Sequence, residues 1–110
     1  MLVKYLGLFA VMLAATCAPQ AYAQTASMIQ IDTASWGYAG MRKNVKDDVG
    51  KICNGKTTCT FMVKNETFPM GEPADPAPSN AKGLIMIWKC GETPKKDQFP
   101  ENKNAVVACP

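Results

Sequence analysis

Polar and apolar positions change their spacing several times along the chain, and each change marks a new element. In MIQID, Ile29 and Ile31 alternate with Gln30 and Asp32, the period of a half-buried strand. That run ends in Trp36-Gly37-Tyr38-Ala39-Gly40, where two glycines permit a sharp turn. From Met41 to Ile52 the period lengthens. Met41, Val45, Val49 and Ile52 recur at spacings of four, four and three, which places them on one face of a helix. Lys43, Lys46 and Asp47 fall largely on the opposite face, and Gly50 weakens the end. Thr58 to Lys64 alternates again, with Cys59, Phe61 and Val63 on one side, and predicts a second strand. Asn65-Glu66-Thr67-Phe68 then turns the chain outward.

Pro69, Pro73, Pro76 and Pro78 exclude a regular helix or central strand in the next segment. It reads as an exposed, semi-stiff loop, and loops of such length in compact domains are often functional. Gly83 to Cys90 is apolar on both faces, short and bounded by breakers, which predicts a central strand. The polar stretch Gly91 to Asn104 reads as a loop, and Ala105 to Cys109 as a final short strand. No internal repeat is visible.

The N-terminus changes the picture of where this fold forms. Lys4 precedes an apolar run from Tyr5 to Ala15, and Ala21-Tyr22-Ala23 closes the segment with a small-x-small pattern. This layout predicts a secretory signal peptide over residues 1–23, with cleavage after Ala23. The apolar run is too short for a bilayer span, which takes roughly 20 residues. Cys17 lacks the preceding box of a lipoprotein and is expected to leave with the leader. Taking 23 residues from 110 leaves 87, residues 24–110, enough for one small domain in which staples are common. Without Lys4 the 12 basic residues become 11 against 9 acidic, a net charge of +2. That balance argues against a nucleic-acid or anionic-membrane partner. Lys95-Lys96, the nearest thing to a basic run, shares its stretch with Asp97 and Glu101. The expected location is secreted or periplasmic.

Four cysteines remain after the leader, Cys53, Cys59, Cys90 and Cys109, and an even count in a short exported chain reads as a disulfide framework. A zinc site favours a tight C-x₂₋₄-C pair, whereas this chain has C-x₅-C and no histidine. A thioredoxin-type site needs C-x-x-C at a helix start, which is absent. Asn54-Gly55 supplies a turn between the helix end and the next strand, so Cys53 is paired with Cys59. Cys90 and Cys109 then pair, tying the last strand to the central one. The longer Cys90–Cys109 closure is expected to stabilise more, contributing about 3 kcal/mol in all.

The lack of histidine also removes the commonest general base and nucleophile activator. No G-x-S-x-G or phosphate-cradling glycine loop is present. Two carboxylate pairs remain, Glu72 with Asp75 and Asp47 with Asp48. Adjacent helical residues diverge, and a mobile loop preorganises poorly, so neither pair makes a convincing hydrolase. The chain is expected to be non-enzymatic, without cofactor or metal.

The ordered pieces A-S-W-G-Y, K-I-C-N-G-K-T-T-C-T-F-M-V, N-E-T-F, a D-P loop with a lysine, and a strand ending W-K-C resemble a known family. They look like a divergent rhamnose/galactose-binding lectin domain of the sea-urchin-egg-lectin and latrophilin type, over roughly Ile29 to Cys90. The resemblance implies an α/β (α+β) domain: a small disulfide-stapled unit, an antiparallel sheet with one or two helices. It also implies a calcium-independent sugar site formed by loops, with a galactoside or rhamnoside ligand. The family's A-N-Y-G-R motif falls on Ala34 to Tyr38, keeping the aromatic as Trp36 but not the asparagine or arginine. Its D-P-C-x-G-T-x-K-Y-L motif falls on Asp75 to Leu84, keeping Asp75 and Lys82, with Asn80 at the threonine. The resemblance therefore implies ligand-binding roles for Trp36, Asp75, Asn80 and Lys82. An aromatic face under the ring and a few groups for the hydroxyls is the chemistry a sugar requires.

Each of these residues also has a plain reading. Trp36 can cap the core beside its glycine turn, Asp75 before proline is a common turn former, and Lys82 can be an ordinary surface lysine. Trp88 reads as core. Asn65-Glu66-Thr67 matches a glycosylation acceptor, relevant in a eukaryotic secretory pathway. The expected partner is a carbohydrate or glycoconjugate. The alternative is a protein partner on a fold that has lost its sugar site.

Overall fold

A computed structural model describes residues Ser27–Pro110; the expected leader, including Cys17, lies outside the described residues. β1 (Ile29–Tyr38) starts with the expected alternation, burying Ile29 and Ile31. A register shift between Ile31 and Thr33 leaves Asp32 outside the pairing with the neighbouring strand. Such a bulge inserts one residue and exchanges the faces of everything after it. Beyond it the even-numbered Ala34 and Trp36 point inward.

β1 turns through Ala39-Gly40 into β2 (Met41–Asn44), with Tyr38 opposite Met41. Gly37 is required here, because a Cβ on it would lie 2.1 Å from the Met41 carbonyl oxygen. The helix expected from Met41 therefore begins later, as α1 (Lys46–Cys53). Met41 is exposed and Lys43 is buried, the reverse of their helical assignment. The hairpin register with β1 overrides the helical spacing of Met41. Val45 and Val49 keep their inward places, joined by Cys53. Asp47 and Asp48 in the first turn and Lys51 in the last suit the helix dipole.

β3 (Thr58–Met62) is followed by a short 3₁₀ turn, Asn65–Thr67. No helix or strand occurs from Phe68 to Lys82, as the prolines require. β4 (Gly83–Cys90) is the expected central strand, buried between β1 and its next neighbour. That neighbour corrects the sequence reading. The polar stretch after Cys90 is a strand, β5 (Thr93–Pro100), paired with β4 along its length. Only Phe99 on β5 is buried, so the strand carries no apolar alternation to betray it. As a sheet edge it bears Lys95, Lys96 and two prolines, devices that discourage pairing with another chain. β6 (Asn104–Ala108) ends the order.

The architecture is a four-stranded antiparallel sheet, β2-β1-β4-β5, with a separate antiparallel pair, β3-β6. The helix contacts β1 and β3. The core gathers Trp36, Leu84 and Met86 from the sheet, Val49 from the helix, and Phe61 and Val107 from the pair. This is a small, sheet-dominated α+β domain stapled by Cys53–Cys59 and Cys90–Cys109, each with a Cα–Cα distance of 5.4 Å. The opposite face of the larger sheet stays open. On it Ser35, Ile85 and Ile87 are half-buried, and Thr33, Lys96 and Gln98 are exposed.

Candidate functional site

The proline-rich segment joins the 3₁₀ turn to the start of β4, and it is fastened to the domain by buried charge. Lys43, inward on β2, sends its Nζ to the Phe68 carbonyl at 2.9 Å. The same Nζ reaches the Gly71 and Ala74 carbonyls at 3.4 and 3.5 Å. Asp48 on α1, also buried, accepts the Met70 N–H at 3.2 Å. At the other end of the segment Lys82 is 6% exposed. Its Nζ lies 3.3 Å from Asp75 Oδ1 and 3.6 Å from Glu101 Oε2, and donates to the Ala77 and Asn80 carbonyls. The Lys82 N–H donates to Glu101 Oε1 at 2.8 Å. A lysine buried this deeply persists only when its charge is paired and its protons are used.

Three of the four residues implied by the lectin resemblance thus converge. Asp75 Oδ1 accepts the Ala77 N–H at 3.0 Å, the turn geometry its position before proline suggested. Partial burial pushes the Asp75 carboxyl upward, but the Ala77 hydrogen bond, Lys82 and an Asn65 side-chain hydrogen bond outweigh it and hold the pKa below the ordinary value. Asn80 spends its side-chain amide on the Pro78 carbonyl. The fourth residue, Trp36, is fully buried. Its ring packs 5.2 Å from Phe68, and its Nε1–H donates to Asn65 Oδ1 at 2.9 Å. It therefore presents no ring face to a ligand, and its core-capping reading is the one the structure supports. Trp36 is tied to Asn65, and Asp75, Lys82 and Glu101 are tied to one another, so these polar groups are largely committed. The Asn65 carboxamide in the possible glycosylation sequence is likewise engaged by the indole.

Beside this clasp lies a cleft of about 410 Å³, lined among others by Tyr38, Arg42, Lys82, Gly83, Gln98 and Phe99. Tyr38 is 46% exposed and supplies the aromatic surface that buried Trp36 does not. Gly37 and Gly83, paired in register, also line the cleft and leave it clear of side chains there. Arg42 reaches under the sheet face: Nε donates to Ser35 Oγ at 2.7 Å, Nη1 to the Gly37 carbonyl at 3.0 Å, and Nη2 to the Ser35 and Gly83 carbonyls at 2.7 and 2.9 Å. The sequence motifs do not single out Tyr38, Arg42 or Gln98. Tyr38 is an aromatic at a glycine turn, a visible signal, but Gln98 belongs to β5, whose polar sequence reads as a loop. Among the described residues no group of three or more His, Cys, Asp or Glu is placed to hold a metal ion. No helix of the described residues is long and apolar enough to cross a membrane. No family model, curated protein or solved structure matches the chain.

Proposed function

We propose that the protein is an exported, lectin-like carbohydrate-binding domain whose ligand lies in the cleft at the β1–β2 turn. The observation that supports this is that exposed Tyr38, Arg42 and Gln98 all line one cleft beside a glycine-lined stretch. An aromatic surface beside convergent polar groups suits a sugar's apolar face and hydroxyls. Export accords with two disulfides, which persist in oxidising compartments. The role is non-catalytic and calcium-independent, with galactosides or rhamnosides as the first ligands to try. In this reading Lys82 lines the cleft, and Asp75 and Asn80 hold its ammonium group in place from behind. Binding of the oxidised protein to a glycan array, with and without a calcium chelator, tests it. Chelator-insensitive binding that Tyr38→Ala removes is the expected result; a blank array from a folded sample overturns it.

A second reading, a protein-binding module, draws on a separate observation. The clasp consumes the polar groups of Asp75 and Lys82, while Met70 and Glu72 on the proline segment are exposed. Under it, replacing Pro69–Pro73 with a Gly/Ser stretch spares the fold and abolishes capture of the partner. Retained capture excludes that segment.

A further inference from the structure

The open face of the four-stranded sheet is predominantly basic. Positions that pair in register share a face. Along this face they are Gln30, Thr33, Ser35 and Gly37 on β1, Arg42 and Asn44 on β2, the odd-numbered positions of β4, and the even-numbered positions of β5. The charged residues among them are Arg42, Lys89 and Lys96. Asp32, exposed in the bulge between inward Ile31 and outward Thr33, is the acidic residue that borders this face.

Arg42 is central to this asymmetry. It lines the Tyr38 cleft and also a second depression of about 280 Å³, bounded by Thr33, Ser35, Asn44 and Lys46. Its four hydrogen bonds all end on neutral oxygens. Among the described residues both ion pairs belong to Lys82, and Arg42 has no carboxylate. A guanidinium carries five N–H donors in a fixed fork, so one on Nη1 remains uncommitted. The neutral acceptors fix the fork rigidly but leave its charge uncompensated. Partial burial adds to the deficit, lowering the Arg42 pKa from its ordinary value. A partner that brings a negative charge relieves this, and an N–H donor pointing from a charged fork is well matched to a carboxylate or sulfate oxygen.

We infer that the saccharide bound at this cleft is an acidic one, its carboxylate or sulfate placed at the Arg42 guanidinium. The inference rests on the carbohydrate reading above and narrows it to a ligand class. Tyr38 packs on a sugar ring, Gln98 meets hydroxyls, and Arg42 selects for charge. Lys89 and Lys96, farther along the same face, favour a chain with charge on several units over an acidic monosaccharide.

The test measures affinities of the oxidised protein for oligogalacturonate, sulfated galactan and a neutral galactan of matched length. Polyglutamate serves as a polyanion without sugar. An acidic glycan should bind at least tenfold more tightly than the neutral one at about 50 mM salt. Raising salt to about 500 mM should erode that advantage, since exposed charge interactions are screened. Galacturonan or sulfated galactan as the tighter ligand identifies carboxylate or sulfate as the charged group. Arg42→Gln should bring the acidic-to-neutral ratio near one, Arg42→Lys should keep part of it, and Lys51→Gln on the distant helix should leave it unchanged. If Arg42→Gln does not fold, the salt dependence of the native protein and the Arg42→Lys ratio decide. Equal affinity for neutral and acidic glycans overturns the inference and leaves the carbohydrate reading standing. Polyglutamate binding as tightly as the glycans, or a ratio unmoved by Arg42→Gln, overturns it as well. Binding to no glycan overturns both.

Discussion

The two ends of the larger sheet are secured by different chemistry. At the start of β1, Ile29 lies opposite Cys90, and both disulfides hold that end, with backbone bonds from Ile29 to Lys56 and from Cys109 to Thr57 around them. At its finish, where Gly37 lies opposite Gly83, no disulfide is present. There Lys43 and Lys82 bind the proline segment through backbone carbonyls and two carboxylates. The covalent end needs only oxidation, whereas the ionic end depends on proton occupancy and on complete satisfaction of buried donors. The candidate cleft is at the ionic end, so the chain places its least covalently constrained backbone next to the surface proposed to bind.

Breaking the covalent end should have the largest effect. Replacing Cys90 and Cys109 together by serine opens a closure of 19 residues. It should cost about 3 kcal/mol and lower the Tm by more than about 10 °C in calorimetry. Loop exchange protection near Ala77 should survive at temperatures where the variant remains folded. Breaking the ionic end should cost somewhat less. Lys82→Ala leaves Glu101 and Asp75 without their cation and opens a gap beside Ala77, for about 2–3 kcal/mol in denaturant unfolding. Lys82→Met, which keeps the stem, should recover part of that. A loss in Lys82→Ala below about 0.5 kcal/mol would mean that the clasp contributes no more than a surface pair.

The smallest effect sharpens the contrast by pH. Asp75 has a folded pKa below its ordinary value, so its contribution is complete above the unfolded value of about 3.9. It is lost as pH falls through the lowered folded value. Exchange protection of the Ala77 amide should therefore decline below about pH 4 while that of the Cys109 amide persists. In Asp75→Asn the acid-dependent step at Ala77 should disappear. Parallel decline at both amides would refute the separation of the two ends.

The same division sets what could be read from the residues alone. The disulfide pairing, β3, β4 and β6 follow from spacing, because alternation and turn chemistry act locally. Trp36 does not follow. Continuing the alternation of Ile29 and Ile31 places Trp36 toward solvent, and only the bulge at Asp32 turns it into the core. Met41 fits a helical period but is claimed by its pairing with Tyr38. β5 is invisible because an edge strand with solvent on both sides needs no apolar alternation. Asp75, Asn80 and Lys82 meet in the structure, yet nothing local marks Lys43 or Lys82 as buried. A lysine is by default a surface residue, and its burial becomes evident only when the carbonyls that receive it are in place.

The anchoring of the proline segment has a practical consequence for engineering. Lys43 holds the carbonyls of both Gly71 and Ala74, while Glu72 and Pro73 between them are exposed. The backbone thus leaves and rejoins the domain at two points tied to one ammonium group. A foreign peptide spliced between residues 72 and 73 would be displayed from a closed base, its ends already held together.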